Sequence, residues 1–341
     1  MLIKFETALL HELLKISNTD AILVNSNGKM TSVYGILHDK DIRIERFFKP
    51  IVEEEGYTII SKEIINLLPK KGEVILTNNI IECGKRKIEF TPFECTLRTI
   101  DTINTKIAEL DKNTMDFLLG VDYAAAKDET RPILCGIHFK NNEVCALDGY
   151  RLSLRKSDKL LIDSEFTIPM EFIKKFKKIK YNGNVIISQN NNYIKFQCGD
   201  YIIIGKLLEG NYVNYNQLIS TEYKTKVKLN KEEIIKILDC FKSYNKDMKL
   251  VKLNIKENNI NIIANFQDNN GKKMTIVDDI NCNTEGEELE IGFNYKYLKE
   301  ALIDKENVVL EFFNRVSQAI IKEETNIGKK LELVLLIRFW Q

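Results

Sequence analysis

The chain has 341 residues, of which 44% are hydrophobic and 29% are charged, and these proportions exclude a disordered chain. Its apolar runs are far shorter than the about 20 residues that cross a bilayer. Fifty basic residues against 49 acidic ones give a net charge of +1, which excludes a protein that grips nucleic acid over its whole surface. We expect two or three domains.

The first predicted module begins with an amphipathic helix, which carries an apolar stripe of Leu9, Leu10, Leu13 and Leu14. Strands are expected in residues 35–48, where apolar and polar residues alternate. A second, shorter helix is expected around Ile64, Leu67 and Leu68. A polar turn then leads to a strand at residues 74–76.

The second predicted module has the same layout. Its first helix carries Phe117, Leu118 and Val121 and is expected to continue through residues 124–126. Strands follow in residues 136–148. The second helix of this module presents an apolar face of Phe172, Ile173 and Phe176, and the next strand is expected at residues 185–187.

The third predicted module begins with a helix around Ile234, Ile235, Leu238 and Phe241, and strands are expected in residues 251–265. A second helix, around Leu298, Ala301 and Leu302, precedes a strand at residues 308–310. The modules recur at intervals of roughly 115 residues, which is too long for a solenoid repeat and indicates whole domains.

We therefore expect three similar domains, at residues 1–103, 104–222 and 223–341, each with helices on one face of antiparallel sheets. The pattern alone is also compatible with an unrelated α+β protein that has amphipathic helices. The seven cysteines are odd in number and lack C-x-x-C spacing, so we expect neither a zinc site nor disulfides, and a reducing, cytoplasmic location.

Four segments carry distinctive motifs. They are ETRPILCG (129–136) with ALDGYRL (146–152), EGNYVNY (209–215), IGFNYKYL (291–298) and VLLIRF (334–339). In this order they resemble motifs of the bacterial DNA polymerase III beta subunit, or beta sliding clamp, family. Residues 1–103 match that family only in layout. The chain departs from the usual motifs at Leu147, Val213, Asn214 and Leu336 and extends further at Trp340–Gln341, so it resembles a divergent or mobile-element member.

The resemblance implies an α+β fold of three DNA-clamp domains, each with two helices packed on antiparallel sheets, and a ring formed by a head-to-tail homodimer. The ring would encircle double-stranded DNA and slide on it without reading bases. It would tether the replicative DNA polymerase and the clamp loader through short peptide motifs. The family is non-catalytic, and we expect no cofactor, no metal and no membrane contact.

A sliding ring needs basic side chains on its inner helices, because lysine attracts phosphates without sequence preference. The densest basic helix carries Lys174, Lys175, Lys177, Lys178 and Lys180. The other candidates for DNA-facing residues are Lys15, Lys62, Lys127, Lys231, Lys236, Lys242, Lys296 and Lys299. Any one of these lysines can equally belong to an ordinary solvated helix face, so the interpretation depends on the cluster of five.

The family binds partner peptides in an apolar pocket between the middle and last domains. Matching the motifs by position places there Leu134, Leu147, Gly149, Tyr150, Arg151, Leu152, Val213, Leu218, Asn294, Tyr297, Val316, Leu333, Val334, Leu335, Leu336, Ile337 and Arg338. Burial of leucine or phenylalanine anchors would supply the affinity. Gly149 is expected to allow close backbone approach, and Arg151 to orient a peptide backbone or carboxylate. Leu134, Leu152 and Val334 fit an ordinary core equally well.

An enzyme is disfavoured by the absence of its usual motifs. The only histidines are His11, His38 and His138, so no H-E-x-x-H zinc site exists, and phosphate-binding and G-x-S-x-G motifs are missing too. Two alternatives stay open. One is a clamp-fold interaction scaffold that no longer slides on DNA. The other is an enzyme with a dispersed site, such as a two-metal nuclease.

Overall fold

A computed structural model of the chain describes residues 1–27, 30–37, 41–49, 54–94, 103–220, 222–241, 249–267 and 272–338. Its elements follow one order three times: a strand, a helix, four strands, a helix and three strands. The expected α+β architecture with antiparallel sheets is confirmed. Among the described residues, no helix combines the length and apolar character needed to cross a membrane.

The first copy of this order contains β1 (Ile3–Glu6), α1 (Thr7–Ser17), β2 (Ala21–Ser26), β3 (Thr31–Leu37), β4 (Ile42–Phe48), β5 (Gly56–Ser61), α2 (Lys62–Leu67), β6 (Glu73–Leu76), β7 (Ile80–Cys83) and β8 (Arg86–Glu89). Helix α1 is capped by Asn18, which adopts the left-handed conformation and donates its N–H to the carbonyl of Leu14 at 2.8 Å. The predicted stripe on α1 is buried at Leu10, Leu13 and Leu14. In α2 the prediction was wrong at Leu67, which is 56% exposed, because the short helix buries Ile65 instead.

The second copy contains β9 (Thr105–Asp111), α3 (Lys112–Leu118), β10 (Gly136–Lys140), β11 (Glu143–Leu147), β12 (Arg151–Lys156), β13 (Glu165–Pro169), α4 (Met170–Phe176), β14 (Asn184–Gln189), β15 (Tyr193–Cys198) and β16 (Tyr201–Lys206). After α3 the chain tightens into a 3-10 helix, Leu119–Ala124, so the continuous helix predicted through residue 126 does not form. Glycine at position 205 lets α4 lie close to β16, since an added Cβ would come within 2.6 Å of the Phe172 ring.

The third copy contains β17 (Thr225–Leu229), α5 (Lys231–Cys240), β18 (Leu250–Lys256), β19 (Asn259–Gln267), β20 (Lys273–Gly286), β21 (Leu289–Asn294), α6 (Tyr295–Leu302), β22 (Val308–Phe312), β23 (Ala319–Glu324) and β24 (Lys329–Val334). Asparagine caps both helices. The Asn230 side chain accepts the N–H of Glu232 at 2.8 Å, and that of Asn294 accepts the N–H of Lys296 at 3.1 Å.

One compact unit comprises Met1–Met115 and Leu161–Leu208. Its larger sheet runs in the order β5-β2-β3-β4-β16-β15-β14-β9, and a smaller sheet runs β1-β6-β7-β8. The β4–β16 pairing joins the first copy to the second, with Ile44 opposite Ile203 in antiparallel register. Helix α1 packs on β2, β3 and β4.

The other compact unit comprises Asp116–Leu160 and Glu209–Gln341. Within it the strand order is β10-β11-β12-β24-β23-β22-β17-β20-β19-β18-β21. The β12–β24 pairing joins the second copy to the third, with Leu152 opposite Leu333. Since the two compact units both contain parts of the second copy, the domain boundaries at 103/104 and 222/223 stay a prediction.

Candidate functional site

All the predicted pocket residues belong to the compact unit that contains β12 and β24. The turn between β11 and β12 holds one corner of the site. There the Asp148 carboxylate accepts the backbone N–H groups of Tyr150 and Arg151, at 3.0 and 3.1 Å. Gly149 has φ of +87°, and a Cβ at this position would meet open space. Glycine therefore serves the left-handed turn, and the approach of a peptide backbone into this open space stays a prediction.

Arg151 is a structural residue of this corner. Its guanidinium donates to the Asp148 carboxylate at 3.0 Å, to the Tyr123 carbonyl at 2.8 Å and to the Glu300 carboxylate. It also lies 4.5 Å from the centroid of the Tyr297 ring. Burial alone would lower the pKa of Arg151, but Glu300 and Asp148 raise it above its usual value.

These contacts give Arg151 a structural role, and its predicted role in orienting a peptide stays a prediction. The residue is 6% exposed, and each of its three guanidinium nitrogens already donates to a partner. A buried arginine with carboxylate partners fixes local structure. Its role is to hold Tyr297, and hence Tyr150, whose rings stack at a centroid distance of 6.1 Å.

The end of the chain after β24 crosses the site and is held on both sides. The N–H of Leu335 donates to the carbonyl of Tyr150 at 2.8 Å, and that of Ile337 donates to the carbonyl of Gly292 at 2.8 Å. Leu336 forms an isolated antiparallel bridge with Phe293. These backbone bonds connect the β11–β12 turn to β21, so the predicted residues of the two motifs lie together.

Beneath this crossing lies an apolar floor. Leu134, Leu147, Leu152 and Leu333 belong to one buried cluster, and each is at most 5% exposed. Asn294 is also buried and serves as the cap of α6, while Val334 is fully buried in the core of the third copy. The alternative of an ordinary core therefore fits Val334, and it fits Leu134 and Leu152 equally well, since both are at most 2% exposed.

The apolar rim is what a ligand would meet first. Tyr150, Val213, Leu218, Val316 and Leu335 are all large apolar residues that stay at least 39% exposed. Single exposed apolar side chains are common on proteins, but several on segments that hydrogen bonds hold together favour a binding surface. The amide of Gln318 donates to the carbonyl of Leu218 at 3.1 Å, which ties the Leu218 loop to the turn that carries Val316.

A cavity of about 890 Å³ opens beside this rim. Val316, Leu336, Ile337 and Arg338 are both predicted pocket residues and part of its wall. The volume falls in the range of about 300–1,000 Å³ that is usual for ligand sites. Sequence comparison by motif position did not predict the rest of the wall, which includes Phe313 and the turn between β20 and β21.

A buried ionic cluster supports the site from below. Arg155 donates to the Glu332 carboxylate at 2.6 Å, and Lys305 donates to the same oxygen at 2.7 Å. The side chains of all three residues are fully buried. Asp304 pairs with Arg155 at 2.8 Å, and the Tyr123 hydroxyl donates to Glu332. Burial and the Glu332 charge raise the pKa of Tyr123 well above its usual value.

The predicted basic cluster is placed on and after α4, in the unit that contains β4 and β16. Lys174, Lys177, Lys178 and Lys180 are exposed, as a phosphate-facing surface requires. Lys175 contradicts the prediction, because it is 4% exposed and donates to the carbonyl of Ser17 at 2.8 Å. It also pairs with Glu171 at 3.3 Å, so it anchors α4 to the end of α1.

The remaining lysine candidates differ in how much of their charge is available. Lys15, Lys127, Lys236 and Lys296 are exposed, and Lys62 and Lys231 are half-buried. Lys299 forms an ion pair with Asp239, which reduces what it can offer a phosphate. Lys242 lies outside the described residues, as do Phe339, Trp340 and Gln341 at the end of the chain.

Sequence reasoning missed the residues that act through others. Asp148 and Glu300 hold Arg151, and Glu332 holds both Arg155 and Lys305. The local signal for Asp148 was present, because Asp-Gly marks a tight turn. In the part of the chain that the structure describes, no three His, Cys, Asp or Glu side chains are arranged to hold a metal ion.

Comparisons with known proteins match most of the chain. The family model described as "DNA polymerase III beta subunit, central domain" matches residues 109–214, and the model for the C-terminal domain of that subunit matches residues 216–335. The Beta sliding clamp of Staphylococcus aureus is 26% identical over 336 residues, which cover 88% of this chain and 87% of that protein. The Beta sliding clamp of Staphylococcus epidermidis is 29% identical over 231 residues, which cover 64% of this chain and only 60% of that protein.

A solved structure shares the fold over nearly the whole chain. It is the sliding clamp, DNA polymerase III subunit beta, of Bartonella birtlesii bound to griselimycin. It aligns with a TM-score of 0.85 at 19% identity and covers 99% of this chain and 100% of its own. The repeated element order, the matching motifs and these comparisons together show that the chain belongs to the bacterial DNA polymerase III beta subunit, or beta sliding clamp, family.

Proposed function

We propose that this chain is a DNA sliding clamp, in which two identical chains close head to tail around duplex DNA and slide without reading sequence. One observation carries the proposal. At both joints between copies, the fourth strand of one copy pairs with the last strand of the next: β4 with β16, and β12 with β24. The same rule, applied once more, would pair β20 with β8.

Both of these edges can accept a partner strand. Among the described residues, β8 pairs with β7 alone, along one edge. The part of β20 from Met274 to Ile280 pairs with β19 on one side only, and Val277 on it is 54% exposed. An open edge favours pairing with another chain.

The two edges belong to the first and the last of the three copies: β8 is in the first copy and β20 is in the third. Pairing β20 of one chain with β8 of another is a heterologous contact, which gives a closed ring when the rotation divides a full turn. Two chains would then supply six similar repeats. A closed sheet wall would remove every open edge of this kind.

Enclosure also explains the modest charge of the protein. A ring that surrounds DNA needs only weak attraction to phosphates, because topology rather than affinity keeps it in place. The exposed lysines at positions 174, 177, 178 and 180 would supply part of that attraction. The near-neutral total of +1 is then no obstacle to a role on DNA.

The pocket would hold partners on the ring. Its apolar floor and exposed rim suit a short peptide with leucine or phenylalanine anchors. Through such peptides the chain would tether the replicative DNA polymerase and its clamp loader, without a catalytic role, a metal or a cofactor of its own. Preferences among partner peptides would reflect Leu147, Val213 and Leu336, where this chain departs from the family motifs.

Light scattering after gel filtration tests the assembly step, with Lys87→Pro as the variant. In an antiparallel hairpin, every second backbone N–H of a strand points away from the partner strand. From the register of β7 and β8, we expect the N–H of Lys87 to face the open edge, so that proline at this position would remove it. The unchanged chain should run as a dimer and the variant as a folded monomer. An unchanged chain that remains monomeric at micromolar concentration would contradict the proposal. Lys85→Pro is not a suitable control, because Lys85 lies in the hairpin turn. The control is Lys256→Ala, which leaves both edges intact.

A further inference from the structure

The wall of the cavity beside the pocket carries charges of both signs. The turn between β20 and β21 contributes Glu287 and Glu288, whereas Arg315 and Arg338 lie on the segments that also border the pocket. Leu289, Phe313 and Leu336 add apolar side chains to the same wall. Such a surface distinguishes the direction in which a charged chain is laid across it.

The acidic turn is held in place by the backbone. The N–H of Glu287 donates to the carbonyl of Lys224 at 3.4 Å. The carbonyl of Glu287 accepts the Thr225 hydroxyl at 2.7 Å. Gly286 has φ of +105°, and a Cβ there would come within 1.8 Å of the Lys224 carbonyl oxygen. Only glycine fits this close approach, so the fold fixes the backbone from which the two carboxylates extend.

These two carboxylates are available for a ligand. Glu290, their neighbour, already pairs with Lys252 at 3.6 Å. Across the described ranges, neither Glu287 nor Glu288 has a cationic side chain as partner, and both are exposed. The cavity is continuous with the pocket, because Val316, Leu336 and Ile337 border both.

We propose that this cavity is an extension of the peptide pocket that binds a basic side chain flanking the apolar anchor of a partner peptide. The inference rests on the proposed function, since it requires the anchor to occupy the pocket. The lysine or arginine would reach past the apolar wall to Glu287 and Glu288. Arg315 and Arg338 would repel a basic residue placed next to the anchor, which fixes the charge order along the peptide.

Binding of short synthetic peptides to the full chain tests this extension by calorimetry. Each peptide carries one leucine–phenylalanine anchor. Two lysines or two serines are joined to it through a short spacer, either before or after the anchor. The variant Glu287→Gln/Glu288→Gln removes the acidic turn. The variant Glu257→Gln/Glu285→Gln removes the same charge from exposed positions that do not border the cavity. The variant Leu218→Ser tests that the anchor uses the pocket.

With the two residues on one particular side of the anchor, we expect the lysine peptide to bind about three- to tenfold more tightly than the serine peptide in low salt. The factor is small because exposed ion pairs have modest strength. The difference should disappear in Glu287→Gln/Glu288→Gln and persist in the control variant. Equal binding of both peptides would overturn the proposal that the cavity binds a basic side chain, and would leave the peptide pocket itself intact. This result is expected if another segment or a second chain fills the cavity. Failure of both peptides to bind, or binding that Leu218→Ser does not weaken, overturns the peptide site itself.

Discussion

Arg155 of β12 and Glu332 of β24 form an ion pair of 2.6 Å in which both side chains are fully buried. The two strands pair directly, and they come from the second and third copies of the repeat. Lys305 shares the same carboxylate, and the less buried Asp304 pairs with both cations. Glu332 lies next to Leu333 and close to the crossing segment of the pocket. The ion cluster therefore fixes the joint on which the pocket is built.

Replacing Glu332 with glutamine should lower the free energy of unfolding by up to about 3–5 kcal/mol, because it leaves Arg155 and Lys305 with Asp304 as their one remaining carboxylate partner. Glu324→Gln is the matched control. Glu324 pairs with Lys329 at 2.9 Å but is 76% exposed, and its loss should cost less than about 1 kcal/mol. Urea unfolding measures both. Similar losses in the two variants would contradict the importance of the buried pair.

Acid should weaken this cluster through Asp304. Burial alone would raise the pKa of Asp304, but Arg155, Lys305 and Lys330 lower it below its usual value of about 4. A carboxyl whose pKa is lowered by folding stabilises the protein above its unfolded pKa and loses this effect as pH falls through the folded pKa. Thermal unfolding should thus show wild type more stable than Asp304→Asn at pH 7, with the gap narrowing below about pH 4. A gap that stays constant with pH would speak against this assignment.

The rim and floor of the pocket should respond differently to substitution. Leu218→Ser changes a residue that is 44% exposed, so it should weaken binding of an anchored peptide about tenfold with little change in stability. Leu147→Ala removes a buried floor residue and should cost about 2–5 kcal/mol of stability. Calorimetry and urea unfolding on both variants separate the two effects. A large loss of stability in Leu218→Ser would show that it belongs to the core.

The exposed lysines should govern DNA attraction, whereas Lys175 should govern stability. Changing Lys174, Lys177, Lys178 and Lys180 to glutamine should shorten the residence of loaded protein on circular DNA in low salt, because fewer phosphate contacts remain. Lys175→Met should instead lower the melting temperature, since it breaks the buried contact with Ser17. Single-molecule residence times and thermal melts measure these outcomes. An unchanged residence time in the fourfold variant would count against the basic surface.

The sequence was informative where one periodicity or motif fixes one element. The stripe of Leu10, Leu13 and Leu14 buries as predicted, because helical spacing alone puts those side chains on one face. The motif matches also grouped Leu147 with Leu333, and the structure brings these two residues into one buried cluster.

The rest depended on contacts between distant residues. Lys175 has the same local pattern as its exposed neighbours, and only the tertiary approach of Ser17 buries it. The partners of Arg151 include Glu300, which is far along the chain and carries no motif. Charge, unlike burial, has no periodic signature that reveals which ion finds which partner.

The central claim is that the protein is held on DNA by topology. Loaded protein should persist on nicked circular DNA after a wash in high salt and should leave the same DNA within seconds to minutes once a restriction enzyme makes it linear. Blocking both ends of the linear DNA with bound protein should restore retention. Equal retention on circular and open linear DNA would contradict enclosure and leave only ordinary binding.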